Sequence, residues 1–100
     1  MTRITPINDG VTTDSFKTEV QTWAKKVGVD IKEIHVRQMT RKLASASTTG
    51  RLTFDVDLLA EPEGRRAEVI VHELVHLKVG NHGRLFRNLV RSHLAAGQGE

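Results

Sequence analysis

One hundred residues without a cysteine place this chain near the lower end of what one hydrophobic core can hold together, and exclude both disulfide staples and thiolate metal sites. No apolar run approaches the roughly 18 residues of a membrane span, and Met1 to Gly10 lacks the apolar core of a signal peptide, so the expectation is one soluble cytoplasmic domain over residues 1–100 with no membrane partner. A formal charge of +3 and a pI near 9.7 are modest: they leave nucleic acid and acidic protein surfaces open as partners, and they leave the oligomeric state undetermined.

The first predicted element is a helix. Thr12, Thr13 and Asp14 supply its cap, Phe16, Val20, Trp23, Ala24 and Val27 form one apolar face with Trp23 in the core, and Gly28 ends it. Ile34 and Val36, joined by Met39, then alternate with His35, Arg37 and Gln38, the pattern of a half-buried strand with His35 facing solvent. Leu43 to Thr48 and Leu52 to Leu59, separated by Thr49-Gly50-Arg51, read as a hairpin with Leu52, Phe54 and Val56 on one face. Pro62-Glu63-Gly64 breaks the chain before the next segment.

That segment, the apolar run Ala67 to Val79, carries His72-Glu73-Leu74-Val75-His76. On a helix, residues four apart lie one turn above each other and about 40° apart around the axis, so two imidazoles at 72 and 76 can converge on one metal ion. Glu73 beside them is placed to take a proton from a water whose pKa zinc lowers to roughly 7. Val69, Ile70, Leu74, Val75 and Leu77 give the same helix a buried side, where polar groups are costly unless they have a purpose such as metal ligation.

A catalytic zinc site needs a third protein ligand. No Asp or Glu lies between His76 and Glu100, so the candidates are histidines. Gly80-Asn81 suits a turn that ends one helix and starts another, swinging His82 back toward the metal. His93 lies about 16 Å further along a continuous helix and is expected to be an ordinary surface or partly buried residue. The last helix also carries Arg84, Arg87 and Arg91 as a basic stripe, with Arg41-Lys42 and Arg65-Arg66 as two loop pairs; such stripes are commonly just the solvated face of a helix.

The spacing from His76 to His82 equals that of the metzincins, but Val79 stands where those enzymes have glycine, and no Met follows Met39 to make a Met-turn. The run from His72 through Leu77 to Asn81-His82, with Phe86 one turn on, resembles instead the YgjP-like metallopeptidase family, whose signature is His-Glu-Leu-x-His-Leu followed by Asn-His and an aromatic. Upstream, Lys42 to Gly50 and the strand Leu52 to Val56 correspond to the family's Arg-Trp-Gly-Ser-Cys-Ser segment and its hydrophobic strand, with Leu43 replacing Trp, Ala44 replacing Gly and Ala46 replacing Cys. The resemblance covers roughly residues 37 to 94 and implies His72, His76 and His82 as metal ligands with Glu73 as general base. The family's relation in motif to SprT-like proteases keeps a nucleic-acid context open.

The expected fold is therefore α+β: a minimal zincin-like metallopeptidase core, with a small antiparallel or mixed sheet packed on an N-terminal helix, a zinc-binding helix and a C-terminal helix. The expected activity is zinc-dependent (Zn2+) hydrolysis of peptide bonds in a peptide or protein substrate. Ala44-Ser45-Ala46-Ser47 reads either as a sheet edge on which an extended peptide could pair or as a solvent-facing hairpin arm. With no Tyr in the chain, the oxyanion would fall to the metal, a backbone N–H, or an arginine such as Arg84 or Arg87. Two alternatives are a non-catalytic zinc-containing binding module and a small basic nucleic-acid-associated domain.

Overall fold

The computed structural model describes residues 11–79 and 83–98, so the Gly80-Asn81 turn and His82 lie outside the described residues. Helix α1 (Thr13–Val27) begins where Thr12 Oγ1 accepts the Ser15 N–H at 3.0 Å, and it ends at Gly28, whose φ of 88° is left-handed. Strand β1 (Glu33–Arg37), the short β2 (Ala44–Ala46) and β3 (Arg51–Asp55) follow, then a 3-10 turn (Val56–Ala60), helix α2 (Glu63–Lys78) and helix α3 (Arg84–Gln98). No helix among the described residues is long and apolar enough to cross a membrane.

The sheet is mixed. Its order is β1-β3-β2, with β1 parallel to β3 and β2 antiparallel to it. The connection from β1 to β2 therefore crosses the C-terminal end of β3, where Arg37 faces Asp55 and Ala44 faces Phe54. Asp55 ties this crossover at both ends: its Oδ1 accepts the Met39 N–H at 3.1 Å, and its own N–H donates to the Leu43 carbonyl at 2.8 Å. At the other end of β3, Gly50 adopts a φ of 99° in the turn from β2, and its carbonyl accepts the Lys32 N–H at 2.9 Å.

The helices pack on one sheet face. Leu52 and Phe54 point into the core, Phe16 of α1 meets Phe54 edge-on at 5.0 Å between centroids, and Ile70, Leu74 and Val75 of α2 are fully buried. Each such side chain contributes about 1.5–3 kcal/mol through removal from water. The other face carries exposed His35, as the alternation predicted. Two ties hold α2 against α1: Lys78 Nζ donates to the Val27 carbonyl at 2.9 Å, and Arg66 grips Glu19 bidentately at 2.9 and 2.7 Å while donating to the Glu61 carbonyl at 2.7 Å.

Four expectations are corrected. The second hairpin arm stops at Asp55 rather than Leu59, because β1 runs out at Arg37 and leaves no partner for an extended chain; Val56–Ala60 coils instead and buries Leu58. Glu63 and Gly64 are not a break but the first turn of α2, with Pro62 just ahead of it. Arg65-Arg66 is not a loop pair: both lie in α2, and Arg66 is buried against Glu19. Trp23 is only partly buried, at the core's margin, with Lys26 Nζ over its ring at 4.9 Å.

Because Arg66 is buried and Glu19 is only partly exposed, removing the carboxylate leaves a cation without its counter-charge. Glu19→Ala is expected to cost about 2–4 kcal/mol in urea unfolding, with Glu19→Gln intermediate. A loss under about 0.5 kcal/mol would mean that the pair contributes no more than an ordinary surface bridge.

Candidate active site

Helix α2 has to serve two surroundings. Val69, Ile70, Val71, Leu74 and Val75 are buried in the core, while His72 and His76 stand half-buried at its margin. Their rings lie one turn apart, with centroids 5.0 Å from each other and planes at 77°. Phe86 of α3, itself 2% exposed, touches both: its ring lies 5.0 Å from that of His72 and 4.8 Å from that of His76. These separations fall in the range of favourable aromatic contact, so Phe86 supports the two imidazoles from behind and limits their rotation. In the sequence Phe86 stood out only as part of a motif; its packing role comes from α3 folding back on α2.

Glu73 points to the side of β2. It is buried, and its carboxylate accepts no hydrogen bond from a described residue. It lines two adjoining clefts. One, of about 300 Å³, is bounded by the β2 edge from Ala44 through Ser47, with His76. The other, of about 520 Å³, runs past His72 between Val69 of α2 and Val90 and Leu94 of α3. Lys42 borders both. Burial pushes the Glu73 carboxyl above the usual carboxylate range, and the Lys42 ammonium opposes that shift without cancelling it.

The structure thus brings His72, Glu73, His76 and the Ala44–Ser47 edge together. Among the described residues no group of three His, Cys, Asp or Glu side chains converges as a metal site, and His82 lies outside them. Two imidazoles one turn apart beside a buried carboxylate that has no donor among the described residues nonetheless form a donor set that suits a divalent metal and its water. His93 is partly buried on α3, where burial and nearby Lys78 lower its pKa, and it borders neither cleft lined by Glu73. Arg84, Arg87 and Arg91 are exposed, and Arg87 and Arg91 border a separate groove with His72 and Phe86. In the sequence Lys42 is only part of a basic pair and a motif, since nothing local says that it faces Glu73.

The fold is that of a metallopeptidase domain. The model of the YgjP-like metallopeptidase domain matches residues 7–97, and the chain belongs to that family. In three dimensions it is similar to the crystal structure of the metallopeptidase zymogen of Pyrococcus abyssi abylysin, with a TM-score of 0.66 at 22% identity over 76% of each chain. No curated protein matches the sequence.

The raised Glu73 carboxyl has a stability consequence in the metal-free protein. A group whose pKa rises on folding contributes stability that is complete below its unfolded value of about 4.3 and is lost as pH climbs through the folded value. Glu73→Gln removes that loss, so the variant's advantage in Tm over the parent is expected to widen as pH rises above about 4 and then to level off. A difference that stays constant across the range would show that folding does not perturb this carboxyl.

Proposed function

We propose that this chain is a zinc-dependent peptidase in which His72, His76 and His82 hold the metal and Glu73 is the general base. The observation that carries the reading is the pair of imidazoles at 5.0 Å beside a buried carboxylate, all facing clefts bordered by a sheet edge. A zinc ion held there supplies Lewis acidity, lowering the pKa of a water and polarising the scissile carbonyl. Glu73 takes the proton of the attacking water and passes it to the leaving amine nitrogen; its burial raises the carboxyl's pKa and so favours its acceptance of that proton. The extended substrate pairs with the edge of β2, where half-buried Ser45 and Ala46 carry small side chains beside the cleft.

Protein purified without a metal-affinity tag is expected to contain one zinc per chain and to cleave members of an unstructured peptide library, with cleavage lost on chelation. Glu73→Ala should abolish turnover and keep the metal, which separates a peptidase from a zinc-holding binding module. His82→Ala should weaken zinc affinity by more than about 100-fold. Unchanged affinity would remove His82 from the ligand set, and a parent that takes up no zinc would overturn the catalytic reading.

A further inference from the structure

We propose that Lys42 is the electrophilic residue of this site, its ammonium donating a hydrogen bond to the scissile carbonyl oxygen as negative charge develops there. The inference rests on the peptidase reading above. Three observations carry it. First, Lys42 is the cation that borders both clefts flanking Glu73, the one containing His76 and the one containing His72, so it stands at the same point along the combined groove as the base itself. Second, the other side-chain cation on these walls, Arg65, is paired with Glu68 at 3.3 Å, whereas Lys42 is in no ion pair with a described carboxylate and acts on Glu73 through space. Third, the backbone that carries the exposed Lys42 side chain is anchored on both sides: Leu43, which follows it, has its carbonyl fixed by the Asp55 N–H at 2.8 Å, and the crossover leading to it is tied where the Asp55 carboxylate accepts the Met39 N–H. A cation carried to the cleft on fixed backbone can stabilise negative charge as it develops, and this chain has no tyrosine to do so.

The step balances without consuming Lys42. The water oxygen bonds to the carbonyl carbon, the carbonyl π pair moves onto the oxygen facing Lys42, and one water proton passes to Glu73. The carbonyl then re-forms, the C–N bond breaks with its pair going to nitrogen, and Glu73 returns the proton to that nitrogen. The new carboxyl group keeps the second water proton until it ionises. Lys42 retains its three protons throughout and acts by charge and hydrogen bonding alone.

The position also separates this role from recognition of a peptide's terminal carboxylate. A group that clamps a chain end belongs beyond the cleaved bond, at the end of one cleft, and not at the junction of two.

The test uses zinc-loaded full-length protein. Lys42→Met is expected to lower kcat by about 100-fold with KM changed less than about 3-fold, while Lys42→Arg keeps at least about a tenth of the parent rate. A readout without turnover comes from calorimetry in the Glu73→Gln background. There Lys42→Met should weaken binding of a phosphinic peptide, whose tetrahedral anion mimics the transition state, by about 100-fold, and leave binding of the uncleaved amide peptide within about 3-fold. Equal weakening of both ligands, full activity of Lys42→Met, or a loss confined to peptides with a free C-terminal carboxylate and absent from their C-terminal amides overturns the assignment. With the parent active, each of those results leaves the peptidase reading standing. A parent that neither holds zinc nor cleaves peptide overturns both.

Discussion

Helices α1 and α3 and strand β2 all pack against α2, and α2 carries three polar side chains in the middle of the sequence that they bury. Burying a carboxylate without a partner is costly, and burying imidazoles is tolerable only where their nitrogens have something to bind. The fold meets this by confining the polar groups to one strip of the helix, where β2 and α3 stand on either side without closing over it. The clefts lie along that strip. Hydrophobic packing thus decides where the chemistry sits, because the strip is the part of α2 that α1 and the Phe16–Phe54 core leave uncovered.

Asp55 links the sheet to the site. The crossover from β1 to β2 passes over the end of β3, and without an anchor it would be a loop free to slide. A single buried residue fixes it twice, once through a side-chain oxygen and once through a backbone N–H. The sheet's topology therefore delivers Lys42 and the β2 edge to Glu73 together, as one unit with the end of β3. Site geometry in so small a protein comes from sharing: Phe86 completes the core and supports two histidines, and Arg66 closes the helix pair while satisfying the Glu61 carbonyl.

Much of this was legible because it is local. The Thr12 cap, the Gly28 stop and the one-turn offset of His72 and His76 follow from helix periodicity and capping chemistry, and they stand where the spacing put them. What was not legible depends on partners distant in sequence. Val56 to Leu59 has the composition of a strand, but whether it extends depends on where β1 ends. Arg66 looks like any surface cation until Glu19, 47 residues away, is found against it. Lys42 reads as half of a basic pair, and only the β1-β3-β2 order brings it across from Glu73. Trp23 differs for another reason: its size is satisfied at a margin, where the ring packs on the core and the exposed side receives Lys26.

The brevity of β2 has a further consequence. Three residues at about 3.3 Å each give an edge of roughly 10 Å, long enough for a few backbone hydrogen bonds and too short to template a second copy of the chain. Such an edge discriminates against aggregation by its length rather than by charge. It also gives a bound peptide little contact from which its sequence could be read. An edge this short can pair only with a segment that is already extended.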